Sequence, residues 1–568
     1  MLQRPGPRAL SLIATFSLLL AACSGSSPSG HPTGSAGTAM GGTVKIGIGG
    51  SPDSLNPGDG LLTEAYTLYE LVYDTPINLT ADGKYEPELA KSWAVAPDGV
   101  TWTLELVDNA KFHDGTPLTS ADVKYTLELY RDTADFPYLS SYPDVFESIE
   151  APDPTHVVIK TSAPVANFEY RLTFMYILPK HIWEKEKDPV AFENAAMIGS
   201  GPFKLVENKQ GQFTRLATNK DYWKEPPHID GVTFQTIANA DARVAAIQHG
   251  DIDVITEYLP TALPALKNTE NVKTLISDPV AGGMRDIFFN VADPANCPPD
   301  NPDTPANDAG VCSGHPALRD VQVRRALSTA VDKQQLIDVA QLGLGTPGLT
   351  LVPTGLGDFF ANEVADYKFS VDAANQILDK AGYKDTNGDG VRECKAGQGC
   401  TDLTFRFNYP TDIDSAPREA ELVQAMWKAI GVKIKIQGLD PDTLTSACCP
   451  TFDYDVIMWH WGSDPDPAFL LGVPLCTEVT TGFNETGYCN PAYDTLYEKQ
   501  GIEPDHAARV ATIHQMQQIL VDDAVYVIPF YEKQLQAYRT DRFSGWWEGA
   551  TSWGLEDPSS LTVVRPVS

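Results

Sequence analysis

Positive charge is what this sequence has too little of: 42 Lys+Arg stand against 75 Asp+Glu, a formal net charge of −33 over 568 residues. Nucleic-acid phosphates and anionic lipid surfaces need cationic partners, so binding to either through a broad electrostatic face is excluded. Catalytic signatures are missing as well. There is no GxxxxGK(S/T), no HExxH and no GxSxG, which removes the P-loop, zincin and nucleophile-elbow chemistries. Gly343 to Gly348 formally fits GxGxxG, but it follows a helical stretch and contains Pro347, so it offers no phosphate cradle. No paired CxxC occurs and no histidine stands at ligand spacing from a cysteine, which argues against a zinc site. Long apolar runs are scarce too. Ala9 to Leu20 is the one such run, and it is shorter than the roughly 20 residues a bilayer span needs.

What is present is a globular chain, with 42% hydrophobic and 10% aromatic residues. Its length calls for two or three domains. Its acidic balance suits cationic or zwitterionic small ligands. Arg4 and Arg8 precede the short apolar run, which ends in Leu20-Ala21-Ala22-Cys23. That order resembles the bacterial lipobox, so residues 1–22 are expected to be a lipoprotein signal peptide and Cys23 the lipidated residue. Residues 23–42, rich in Ser, Gly and Pro, then form a flexible tether. The expected location is the cell membrane, lipid-anchored on its extracytoplasmic face. Removing Cys23 from nine cysteines leaves an even set, as export into an oxidising compartment favours. Nearest neighbours suggest Cys297/Cys312, Cys394/Cys400, Cys448/Cys449 and Cys476/Cys489, although spacing alone does not fix connectivity.

Periodicity places the elements. Val44, Ile46 and Ile48 alternate as a first strand, Leu61 to Tyr73 reads as a helix, and Thr101 to Leu106 alternates again. Thr119 with Asp122 three residues on is a capping box. Ser370 opens a helix to Lys380 with Gly382 beyond its end, and Glu419 to Ile430 is amphipathic up to Gly431. Val432 to Ile436 is a strand, and the helix Ala507 to Asp522 leads into the apolar strand Val525 to Phe530. Helices alternating with strands predict an α/β fold with largely parallel sheets.

Leu89 to Val123 carries an ordered set of matches at Leu89, Ser92, Trp93, Asp98, Gly99, Lys111, Phe112, His113, Asp114, Gly115, Thr119, Asp122 and Val123. This stretch resembles the signature region of family 5 extracellular solute-binding proteins, the dipeptide, oligopeptide and nickel receptors of ABC importers. Further blocks resemble the family along the mature chain, among them Ile198 to Leu205, Arg243 to Asp253, Asp320 to Lys333 and Ile528 to Tyr531. The insertion Cys297 to Cys312 departs from the shorter family link. The resemblance implies a periplasmic-binding-protein-like type II fold with two hinged lobes and an extra small domain. Lobe I would take residues 43–84, 196–284 and a C-terminal return 531–568. The small domain would take 85–195 and lobe II 285–530. It implies a monomeric receptor that captures a peptide between the lobes and hands it to a permease with its ATPase subunits. No catalytic group, cofactor or metal is implied. The alternatives are an oligosaccharide, nickel-chelate or haem cargo, or a secreted hydrolase.

The candidate site is Trp459 to Pro467, WHWGSDPDP, into which the apolar strand Tyr454 to Met458 runs. Strand parity puts Trp459 and Trp461 on one face and His460 on the other. In peptide-binding relatives a Gly-x-Asp after a strand Trp pairs with the peptide's α-ammonium; the matching residues are Gly462, Ser463 and Asp464. The resemblance therefore makes Asp464 the ligand carboxylate, with Trp459, Trp461, Gly462 and Tyr409 around it, and makes Asp466 part of the loop scaffold. Asp385 to Gly390 fits the opening of an EF-hand loop, but position twelve is Ala396, so a structural turn is expected.

Overall fold

The computed structural model describes residues 40–80, 83–280, 282–297, 311–449, 451–549 and 554–567. The expected signal peptide, the lipidation at Cys23 and the tether up to residue 39 lie outside the described residues. Among the described residues no helix is long and apolar enough to cross a membrane.

Three sheets carry the fold. The first has seven strands, in the order Val272–Ser277, Gln534–Arg539, Val254–Ile255, Thr43–Ile48, Gly231–Thr236, Phe213–Thr218, Phe203–Lys209. The second has six: Gly345–Pro347, Tyr526–Glu532, Gly283–Phe289, Val456–Gly462, Thr404–Pro410, Lys433–Leu439. A four-stranded antiparallel sheet, spanning Ala90–Val95 to His156–Thr161 in sequence, forms a smaller unit. Both large sheets are mixed, which corrects the expectation of largely parallel ones. Thr43–Ile48 runs parallel to both its neighbours and Thr404–Pro410 to both of its own, while the other pairings within these two sheets are antiparallel. The reason is topological. The antiparallel partners come from distant parts of the chain or from hairpins, and neither needs the helical crossover of a parallel pair.

Local chemistry sets the ends of the elements. Thr119 and Asp122 close the capping box of the helix Ser120–Asp132. The Ser370 hydroxyl accepts from the Ala373 amide at 3.1 Å, and Gly382, at φ 95°, ends the helix Val371–Ala381 in the left-handed region where a side chain is strained. His113 ties its turn to the first lobe. It accepts from the Gly199 amide at Nδ1 (3.3 Å), so Nε2 carries the proton donated to the Gly201 carbonyl (3.1 Å), and burial pushes its imidazole down to about 4.

One continuous core joins the first sheet to the small unit, from Val44 and Ile46 to Leu104 and Trp183. Inside it Trp102 and Phe168 stack with centroids 3.9 Å apart. Two further cores cover opposite faces of the second sheet. Along Val456–Gly462 the even-numbered residues Val456 and Met458 face one, and Ile457, Trp459 and Trp461 face the other. Burial on both faces explains the apolar run at Val456 to Met458, each such side chain contributing roughly 1.5–3 kcal/mol. Sulfur pairs join Cys297 to Cys312, Cys394 to Cys400, Cys448 to Cys449 and Cys476 to Cys489.

The chain passes between the two large sheets twice, after Ser277 and at Lys533. The passages are clasped: Lys533 Nζ lies 2.6 Å from Asp278 Oδ1, which also accepts from the Thr346 hydroxyl at 2.8 Å.

Candidate functional site

The strand Val456–Gly462 continues four residues beyond the apolar run. Its antiparallel neighbour supplies partners as far as Gly283, opposite Gly462. Ser463 is then fixed beside the interlobe passage: its amide donates to the Gly282 carbonyl (3.1 Å) and its hydroxyl accepts from the Gly282 amide (2.9 Å). Pro465 and Pro467 stop further pairing, and a short helix, Ala468–Gly472, follows. The two carboxylates of this turn diverge.

Asp466 points into the second lobe. Arg509 grips it with both terminal guanidinium nitrogens, at 2.7 and 2.8 Å, and the Ala468 amide donates to it at 2.9 Å. Both side chains of the pair are almost wholly buried. Asp464 instead lines a cavity of about 1270 Å³, as do Gly462, Ser463 and Pro465. Across from them stand Tyr66, Tyr138, Phe174 and Tyr176, and Trp547 contributes from the C-terminal segment.

The Asp464 carboxylate makes no ion pair among the described residues. The Tyr138 hydroxyl donates to it at 3.4 Å. Behind it, Tyr142 donates to Tyr138 at 2.6 Å and lies 3.1 Å from the Tyr170 hydroxyl. Burial pushes all three phenols well up, so they stay protonated and remain donors. Burial also pushes the Asp464 carboxyl above the usual carboxylate range; hydrogen bonding to Tyr170 and Tyr138 acts against that, and the Asp466 charge adds to it. Tyr66 meets Tyr138 edge-on, centroids 5.7 Å apart and planes at 88°. A desolvated carboxylate flanked by aromatic rings, with no ion pair among the described residues, can accept an ammonium, because a charge-assisted hydrogen bond and cation–π attraction then act together.

The remaining candidates are placed elsewhere. Trp459, Trp461 and Tyr409 do not line the cavity. The two indoles share a face of their strand, opposite His460, and that face packs into the second lobe's core. Trp461 Nε1 donates to Glu485 Oε2 at 3.0 Å, and its ring meets Phe469 and Phe483. Glu485 and Asp286 are both buried here, and burial pushes both carboxyls up. Tyr409 packs at the edge of the core on the opposite face of the sheet. The wall expected of indoles is made by tyrosines of the segment 138–176 and the helix Thr63–Val72. Their sequence signal was the aromatic density of FPYLSSY and FEYRLTFMY, which carries no motif.

At Asp385 to Gly390 the Asp385 carboxylate is occupied by the amides of Gly388 (2.7 Å) and Gly390 (2.9 Å). Glu393 accepts from Thr386 (2.7 Å) and Asn387 (3.2 Å). The loop is closed by its own side chains. Among the described residues the cluster with metal-ligand spacing is His315 with Cys394 and Cys400, whose sulfurs are bonded to each other.

The family profile described as "Bacterial extracellular solute-binding proteins, family 5 Middle" matches residues 84–478. The oligopeptide-binding protein AppA of Bacillus subtilis (strain 168) is 28% identical over 541 residues, covering 92% of this chain and 92% of that one. Among solved structures, the ABC transporter substrate binding protein CtaP from Listeria monocytogenes superposes with a TM-score of 0.78 at 25% identity, covering 93% of this chain and all of that one. Bacillus subtilis AppA in complex with a nonapeptide gives a TM-score of 0.73 at 23% identity, covering 94% of this chain and all of that one.

Proposed function

The chain belongs to the bacterial extracellular solute-binding proteins of family 5, and we propose that it is a peptide receptor in which Asp464 takes the ligand's α-ammonium. The observation that carries this is the Asp464 carboxylate itself: it faces a large cavity, is largely removed from water, and meets phenol hydroxyls instead of a cation. A free carboxylate in that setting is costly until an ammonium neutralises it. The name of AppA and its nonapeptide complex add support for a peptide over a sugar, nickel chelate or haem. His460, the residue a nickel chelate or haem would call on in this stretch, is not among the cavity's lining residues.

In this reading the first sheet and the small unit form one jaw and the second sheet the other. The Ala166 amide, which donates to the Gly501 carbonyl at 2.9 Å, and the Tyr138–Asp464 bond span the jaws. Closure on a ligand shifts the population towards the form a permease recognises, and no bond is made or broken. The lipid anchor at Cys23, the permease and its ATPases belong to the same reading. Calorimetry with free-amino and N-acetylated forms of one pentapeptide tests it. The free form binds and the acetylated form loses on the order of 100-fold, as fits the loss of a desolvated ion pair. Equal affinities would rule out the ammonium role.

A further inference from the structure

We infer that the peptide this cavity takes is basic, carrying Lys or Arg side chains beyond its α-ammonium. The inference rests on the peptide-receptor reading and names the ligand's chemistry within it. Ten carboxylate side chains line the cavity, against one lysine, Lys224, and one histidine, His228. Neither of these is spare. Lys224 Nζ lies 2.7 Å from Glu88, and His228 Nε2 lies 3.4 Å from Glu225 and 2.8 Å from the Arg565 guanidinium. An acidic ligand side chain would find no cation there and a surplus of like charge.

The carboxylates differ in how far they are compensated. Glu257 is paired with Arg243 at 2.8 Å, and Asp557 caps a helix. Glu64 and Glu86, like Asp464, make no ion pair among the described residues. Asp74 accepts from Tyr222 (2.8 Å) and Trp223 (2.9 Å), which carry no charge. Burial pushes Glu556 up to about 8, so it keeps its proton at neutral pH until a cation arrives beside it and displaces it; burial pushes Glu88 up as well, against the pull of Lys224.

A second observation is independent of charge. Tyr176 lines the cavity, is fully buried, and its hydroxyl has no hydrogen-bond partner among the described residues. A buried polar group left unmatched in this way is expected to be satisfied by what fills the cavity. Tyr66, Phe174 and Trp547 add aromatic surface, on which the aliphatic stems and cationic heads of Lys and Arg both rest well. The cavity thus offers carboxylates for charge and rings for stems, with one unmatched hydroxyl buried in its wall.

The test is calorimetry of the purified protein with three free-amino pentapeptides of alanine carrying Lys, Ala or Glu at the second and fourth positions, and with spermidine. The Lys peptide binds at least 10-fold more tightly than the Ala peptide, the Glu peptide does not bind, and the gap narrows at high salt. The double variant Glu64→Gln/Glu86→Gln loses about 10-fold for the Lys peptide and nothing for the Ala peptide. Equal binding of the Lys and Ala peptides overturns the inference and leaves the peptide reading standing. Binding of spermidine without any peptide, or of nothing in the series, overturns both.

Discussion

Asp464 and Asp466 sit two residues apart on one turn and lead opposite lives. Asp466 has a buried guanidinium in bidentate contact and an amide besides, so its charge is fully matched inside one lobe. Asp464 has phenols and a cavity. The first arrangement holds a turn in place. The second leaves a carboxylate facing the cavity with no ion pair among the described residues, and the proposed ammonium role rests on that contrast. The prolines on either side of Asp466 make the divergence possible, because they end the strand and free successive side chains from alternating across a sheet.

The largest effect should come from breaking the matched side. Asp466→Asn leaves Arg509 buried without its counter-ion and should cost about 3–5 kcal/mol in urea unfolding. If stability is unchanged, the pair is not structural and the contrast fails. A smaller effect sharpens the other side. Tyr138→Phe removes a phenol that donates to Asp464 and should weaken ligand binding by about fivefold, near 1 kcal/mol, with little change in melting temperature. The smallest is a pH effect. Burial raises the Asp464 carboxyl, so peptide affinity should fall as pH drops through a value above the usual carboxylate range, when the group takes up its proton. Titrating wild type against Asp464→Asn separates this from the other carboxylates.

Much of the fold was legible because its signals are local. The capping box at Thr119 and Asp122, the stop at Gly382 and the alternation at Val44 to Ile48 each depend on a few neighbouring residues. The mixed sheets were not legible. Strand direction is set by partners hundreds of residues away, such as Gly283–Phe289 against both Val456–Gly462 and Tyr526–Glu532. At the site the parity of Trp459, His460 and Trp461 followed from the strand period. That the strand's end and neither of its faces meets the cavity did not, because that depends on the distant segments packed over each face. The indoles therefore went to the core, and the cavity wall came from Tyr66, Tyr138 and Tyr176, residues whose chemistry is visible in sequence and whose convergence is not.

The measurement that bears most directly on the central claim is the pair of affinity and melting temperature for Asp464→Asn at neutral pH. A carboxyl raised by burial contributes stability that is present at low pH and lost as pH rises through its folded value, so at neutral pH the charged form works against the fold. The account predicts that Asp464→Asn melts at or above the wild-type temperature while free-amino peptide affinity drops on the order of 100-fold, about 2.7 kcal/mol. Unchanged affinity, or a loss of stability comparable to that of Asp466→Asn, would contradict it.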